Sequence, residues 1–362
     1  EMEKLSHLLS AASQPIILAG GSRWSASASE QLTDVATRLD VPVVCTFRRQ
    51  ALIDNTAPCY AGDLGLAANP ALLKRIHDSD LVILLGGRLS EIPSQGYTLL
   101  NVPHPEQRLV HVHPGAEELG RVYAPELAIN ATPAAFLHAL SNANLKPTTA
   151  DRTQTAHADY LSWSETAPET PGALQMGHVI TTLRTHMPRD TIYCNGAGNY
   201  AGWLHRFMRY QWATQLAPTS GSMGYGLPAA IAAQSRYRDR EVVCLAGDGC
   251  LQMSLQELGA AQQHELPIRV LVADNGLYGT IRMHQARDYP GRVSATTLVN
   301  PDFAAIARAY GAHAETVTCN DDFAGALARA RAASQFSLLH LQIDPEAITP
   351  VKTLTDIESS TP

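Results

Sequence analysis

One carboxylate and one carboxamide stand in this chain at a spacing that could hold a metal ion. Gly247-Asp248-Gly249 closes the apolar run Val242-Val243-Cys244-Leu245-Ala246, and Asn275 follows the run 268–273, with 25 residues between Gly249 and Asn275. The first run reads as a buried strand ending in a glycine-rich turn. Leu251, Leu255, Leu258 and Ala261 then recur at helical spacing, which predicts a helix over 251–263 that Pro267 ends. Strand, helix and strand in that order form a crossover whose two strands run parallel. Asp248 and Asn275 therefore reach the same edge of one sheet, at the carboxyl ends of two strands. Hard oxygen donors converging there suit a six-coordinate cation such as Mg²⁺. The helix opening after Gly249 aims unpaired N–H groups at the same place, which favours a phosphate.

The elements that must position these groups read as two doubly wound, mainly parallel α/β domains, because short apolar runs alternate with helical segments. In the first domain, 15–21, 41–45, 81–87, 109–114 and 127–129 read as strands, and 27–39, 70–77 and 133–140 as helices. An Asn-, Pro- and Thr-rich connection begins near Asn142. The expected organisation is a middle-type α/β domain at 1–145, a linker at 146–174 and a metal- and phosphate-binding domain at 175–345. A tail at 346–362 with little pattern is expected to wrap around or fray.

Two further segments bear on the site. One is Ser220-Gly221-Ser222-Met223-Gly224-Tyr225-Gly226-Leu227-Pro228; the other, after the strand Thr191-Ile192-Tyr193-Cys194, is Asn195-Gly196-Ala197-Gly198-Asn199-Tyr200-Ala201-Gly202-Trp203. With Gly-Asp-Gly followed after about 25–30 residues by Asn, they resemble the cofactor site of thiamine diphosphate enzymes. The Met223 segment is similar to that of the acetolactate (acetohydroxyacid) synthase and benzoylformate decarboxylase branch. The resemblance implies a Rossmann-like middle domain followed by a thiamine diphosphate-binding domain. It implies that Asp248, Asn275 and the backbone oxygen of Leu277 hold Mg²⁺. It further implies that Met223 wedges between the cofactor's two rings, while the Gly221 carbonyl, with Ser222 beside it, holds the 4′-amino group. Asn199 and Tyr200, next to Gly198, would offer side chains to the diphosphate. Gly247, Gly249, Cys250, Tyr278 and Gly279 complete the implied cofactor contacts.

The activity implied is that of a decarboxylase or carboligase acting on a small 2-oxo acid, with the cofactor as electron sink. Residues 278–285 depart from the synthase pattern Gly-Met-Val-x-Gln-Trp-Gln: Thr280 stands in the place of Met, and His284 in that of Trp. His284 is thereby a candidate proton donor or partner for a polar substrate, alongside a rim position without a role. A simple decarboxylase of the benzoylformate type stays open beside the acetolactate synthase-like reading. In the family, an N-terminal domain binds the aminopyrimidine and supplies an activating glutamate. The chain begins where the middle domain begins, so the expectation is that this domain was removed or lies on another polypeptide, leaving the isolated chain inactive. A homodimer or homotetramer is expected, since family sites form between subunits. Synthases carry a structural flavin in the middle domain. Gly20-Gly21-Ser22 lacks Gly-x-Gly-x-x-Gly, so FAD is possible but without support; Arg88 and Ser90 could meet a nucleotide, or form a salt bridge and a cap.

Length and composition agree with an ordinary soluble enzyme and speak against other classes. At 362 residues, two domains are expected, and 45% hydrophobic residues exclude a disordered chain. No apolar run reaches the roughly 18 residues of a membrane span. A net charge of −7 speaks against nucleic acid or an anionic membrane as partner. Glu1-Met2-Glu3-Lys4-Leu5 has no signal-peptide pattern, and the six cysteines include no Cys-x-x-Cys, so the cytoplasm is the expected location. Two other readings stand. Gly196 to Gly202 after a strand could be a dinucleotide fingerprint; the usual ribose-binding acid is missing, but Arg206 or Arg209 could serve an NADP-dependent oxidoreductase. The chain could also be a non-catalytic binding or assembly module.

Overall fold

The computed structural model describes residues 1–143, 145 and 151–360. They form two compact units: Glu1–Glu165 with Arg209–Ala213, and Thr166–Met208 with Thr214–Pro362.

The first unit is built on β1 (Pro15–Ala19), β2 (Val43–Thr46), β3 (Tyr60–Leu64), β4 (Leu81–Leu85), β5 (Arg108–Val112) and β6 (Leu127–Ile129). Their order is β3-β2-β1-β4-β5-β6, and every neighbouring pair is parallel. β1 and β4 are buried along their whole length, as uninterrupted apolar runs require when helices cover both faces. Ile17 and Ile83 face a core with Leu5, Leu32 and Val35, and Ile16, Leu18 and Val82 face a second with Leu72 and Ile76.

The stretch read as a linker is partly structure. Residues 146–150 lie outside the described residues, but Arg152–Ser164 is a helix of the first unit. Asp40 fixes its start, accepting from the N–H groups of Arg152 (2.9 Å) and Thr153 (3.0 Å) and from Thr153 Oγ1 (2.6 Å). Tyr160 meets Tyr60 edge-on at 4.8 Å. A single buried face and a capping carboxylate distant in sequence hold this helix, which the polar sequence of 142–155 disguised.

The ends of β1 and β4, where a dinucleotide would lie in this strand order, are closed on each other. A Cβ on Gly21 would stand 1.7 Å from the Gly86 carbonyl oxygen, and Trp24 Nε1 donates to the Gly20 carbonyl at 2.7 Å. Beside them, Arg88 lines a cleft with Ser90 and His111, but Arg88 and Arg121 both pair with Glu118 (3.5 and 3.0 Å). The ion pair with Glu118 is the role observed for Arg88.

The second unit contains β7 (Ile192–Asn195), β8 (Gln215–Leu216), β9 (Val242–Gly247), β10 (Arg269–Asp274), β11 (His313–Val317) and β12 (Ser337–Gln342). The order is β11-β12-β10-β9-β7-β8, again all parallel. The chain leaves β7 toward one edge and returns on the other side through β9, so the strand order reverses between β7 and β9. Ligands of open α/β sheets gather outside the carboxyl ends at such a reversal.

The helix expected over 251–263 is in fact broken into Asp248–Gln252, a 3₁₀ turn at Leu255–Glu257, and Leu258–Gln263. Side chains at the break are tied to the loop ahead of the helix Gly226–Arg236. Cys250 Sγ accepts from the Gly224 N–H at 3.1 Å, and Ser254 Oγ donates to the Gly224 carbonyl at 3.0 Å. Leu251, Leu258 and Ala261 still reach the core, which is why the periodicity survives the break. The tail wraps. Ile348, Leu354 and Ile357 pack with Ala286, and a Thr353–Asp356 capping box starts the helix Leu354–Ser359. Residues 361 and 362 lie outside the described residues.

Candidate functional site

Register brings the two predicted donors together. Ala273 pairs with Gly247 across β10 and β9, so Asp248 and Asp274 are side by side and Asn275 lies one residue further on the same edge. They open onto a cavity of about 630 Å³, counting space continuous with solvent, at the carboxyl ends of β7, β9 and β10. Asp248, Asn275 and Leu277 all line it. So do Gly198, Asn199 and Tyr200 after β7, Met223, the Gly247–Gly249–Cys250 turn, and Tyr278 and Gly279 after β10. Three predicted positions are elsewhere. Gly221 and Ser222 lie on an exposed stretch outside the wall, and His284 is exposed on the helix Gly279–Asp288. Thr280, the other departure from the synthase pattern, does line the cavity.

The glycines of the motif are required by aromatic packing. A Cβ on Gly247 would come within 2.8 Å of the Tyr200 ring, and one on Gly249 within 2.6 Å of the Tyr278 ring. The two tyrosines thus pack against the turn that carries Asp248. Tyr200 is only 9% exposed, and its hydroxyl is turned inward toward Cys250 and Gly196. Asn199 is also committed to protein: it donates to the Ile348 carbonyl at 3.1 Å and accepts from Thr280 Oγ1 at 2.8 Å. Neither side chain stands free above the turn, and the N–H of Gly249 is used by Asp248 Oδ1 at 2.8 Å.

Asp248 is 4% exposed, and burial pushes its carboxyl above the ordinary carboxylate range. Hydrogen bonds from Gly249 and Asn300 oppose that rise, while the neighbouring Asp274 adds to it. For Asp274 burial works in the same direction, yet its carboxyl is held below the ordinary range. His340, the Gly276 N–H and Asn300 outweigh the desolvation. His340 Nε2 lies 2.8 Å from Asp274 Oδ2, and Asn300 Nδ2 is 2.7 Å from both Asp248 Oδ2 and Asp274 Oδ1.

The donor set could hold a divalent cation such as Mg²⁺. A buried carboxylate whose ionisation burial disfavours marks a place where a cation's charge would be welcome. Among the described residues no three His, Cys, Asp or Glu side chains converge as a metal site. The donors here are of another kind, one carboxylate, one carboxamide and one backbone carbonyl, with room left for waters and phosphate oxygens.

The comparison that decides the family agrees with both units. Residues 2–140 match the thiamine pyrophosphate enzyme central domain, and residues 196–341 match the thiamine pyrophosphate enzyme C-terminal TPP binding domain. The chain belongs to the thiamine pyrophosphate enzymes. It is 28% identical over 347 residues to the acetolactate synthase isozyme 2 large subunit of Escherichia coli (strain K12), covering 95% of this chain and 62% of that protein. It is 29% identical over 357 residues to an acetolactate synthase large subunit of Parasynechococcus marenigrum (strain WH8102), covering 97% and 55%. To the Corynebacterium glutamicum acetolactate synthase large subunit it is 28% identical over 348 residues, covering 91% and 54%. The chain therefore spans little more than half the length of these relatives. Among its described residues, the chain has no helix long and apolar enough to cross a membrane.

Sequence reasoning missed several wall and support residues. Met176, Trp203, Ile343 and Ile348 supply apolar wall, and Asp274, Asn300 and His340 lie behind the metal-motif carboxylate. Asp274 was legible as the residue just before Asn275. Asn300 and His340 carried no local signal.

Proposed function

We propose that this chain forms the middle and diphosphate-binding parts of a thiamine diphosphate- and Mg²⁺-dependent 2-oxo acid decarboxylase or carboligase of the acetolactate synthase type. The observation that carries the reading is the placement of Asp248 and Asn275 at neighbouring parallel strand tips, in one cavity with Met223. Asp248, Asn275 and the Leu277 carbonyl would hold the metal. The bound cofactor supplies an electron sink for loss of carbon dioxide from the substrate. Tyr200 and Tyr278 brace the turn bearing Asp248, so the carboxylate is set before anything binds. Met176, Trp203, Ile343 and Ile348 keep water from the apolar side of the cavity. Met223 would lie against the cofactor rings, and Gly221 and Ser222, three and two residues short of Gly224, would approach them from the exposed loop.

The activating glutamate of the family is assigned to a pyrimidine-binding domain outside these residues, and the isolated chain is then inactive. We place the working enzyme in a homodimer or homotetramer. Six unpaired cysteines, five of them buried, support a reducing compartment, the cytoplasm.

The test is a screen of small 2-oxo acids on the full-length protein with Mg²⁺ and thiamine diphosphate, following carbon dioxide release and carbon–carbon bond formation together. Release with condensation supports the synthase type, and release alone the simple decarboxylase. No turnover of any 2-oxo acid sinks the reading. In the active protein, Met223→Ala is expected to lower kcat by about tenfold or more while cofactor affinity moves less than about threefold. A loss confined to affinity would remove the wedge role.

A further inference from the structure

We infer that Asn300 is a positioning residue for the metal site: its side-chain amide bridges Asp248 and Asp274 and holds the Asp248 carboxylate toward the cavity. The inference rests on the function proposed above.

Asn300 is brought there by a strap. Residues 296–298 run antiparallel to 276–278: the Tyr278 N–H donates to the Thr296 carbonyl at 2.9 Å, and the Leu298 N–H to the Gly276 carbonyl at 2.8 Å. Leu298 also packs against the motif, its Cδ1 lying 3.3 Å from where a Cβ on Gly249 would stand. The strap is therefore fixed to the segment that contains Leu277, and Asn300 lies two residues beyond it.

The amide is used on both sides. Nδ2 donates to Asp248 Oδ2 and to Asp274 Oδ1, each at 2.7 Å, and Oδ1 accepts from Gln252 Nε2 at 3.0 Å. Because two of these contacts are to carboxylate oxygens, the nitrogen must face them. Asp274 is held at its other oxygen, Oδ2, by His340 Nε2 (2.8 Å), while the Gly276 N–H (2.9 Å) shares Oδ1 with Asn300, and His340 in turn stands edge-on to Phe303 at 5.2 Å. So Asp274 is anchored, and Asn300 hangs Asp248 from that anchor.

Chemistry explains why an amide does this. Two adjacent carboxylates repel each other, and a donor shared between them offsets the repulsion. A lysine or arginine in the same place would cancel the charge that a divalent cation needs. A neutral group with two N–H bonds holds both carboxylates and leaves Asp248 anionic.

The test measures binding. In the full-length protein at saturating thiamine diphosphate, cofactor uptake is followed by tryptophan fluorescence as Mg²⁺ is titrated. Asn300→Ala is expected to raise the half-saturating Mg²⁺ concentration about tenfold or more. In an Asp274→Asn background the same substitution should shift it less than about threefold, since the neutral neighbour no longer repels Asp248. A strap that mattered only for folding would lose as much in either background. Should Asn300→Ala fail to fold, Asn300→Leu, of similar size and without the N–H groups, carries the same expectation. An unchanged Mg²⁺ midpoint, or an equal shift in both backgrounds, overturns the positioning role. Wild-type protein that takes up no cofactor at any Mg²⁺ concentration overturns the functional reading and this inference with it.

Discussion

Asp248→Ala is expected to weaken Mg²⁺-dependent uptake of thiamine diphosphate by about 100-fold or more. Asp248 is the only acidic side chain lining the cavity among the described residues, so nothing else on that wall can supply an anionic oxygen to the metal. The effect on the empty protein should be small. Alanine removes a carboxylate that burial and Asp274 already disfavour, but it also strands the Gly249 N–H and one N–H of Asn300. These contributions oppose each other, and the melting temperature of the metal-free protein is expected to move by no more than about 4 °C. Calorimetric titration with and without Mg²⁺, beside a thermal melt, reads both quantities. Cofactor affinity that stays within about threefold of wild type removes the metal assignment.

The second large effect is on folding. Gly21→Ala is expected to destabilise the protein by more than about 3 kcal/mol. Gly21 has φ +69°, and an added Cβ would stand 1.7 Å from the Gly86 oxygen and 2.5 Å from its carbon, both of them backbone atoms that cannot swing aside. Gly221 provides the control. Its φ is +76°, nearly the same, but nothing lies within 4 Å of its Cβ position. Gly221→Ala should therefore cost only the left-handed strain, about 1–2 kcal/mol. Denaturant unfolding of the two variants separates conformational strain from collision. Equal losses would show that the contact between the β1 and β4 ends is not tight.

The doubly wound architecture was legible because the central strands of both sheets are buried on two faces and so appear as unbroken apolar runs. β3, Tyr60-Ala61-Gly62-Asp63-Leu64, was not read as a strand, since Gly62 and Asp63 interrupt its apolar character at the sheet edge. The helix Pro70–His77 and the strand Leu127–Ile129 have the expected bounds, one opened by proline and the other short and isolated between polar stretches. The helix after Asp248 was expected to be continuous because periodicity reports the buried face and is blind to side-chain bonds such as Ser254 to Gly224. At the site, the crossover rule put Asp248 and Asn275 on one edge from sequence order alone. Asn300 depends on an antiparallel pairing of two loops, and His340 on the lateral order of β10 and β12, neither of which leaves a local pattern.

The wall formed by Ile348, with its carbonyl bound by Asn199 and its side chain packed among Leu354, Ile357 and Ala286, comes from a segment that follows the last strand of the sheet. Both metal-motif strands are paired without it. The cavity is thus closed on that side by an element outside the sheet, and lifting residues 346–358 away would leave an open trough with its floor intact.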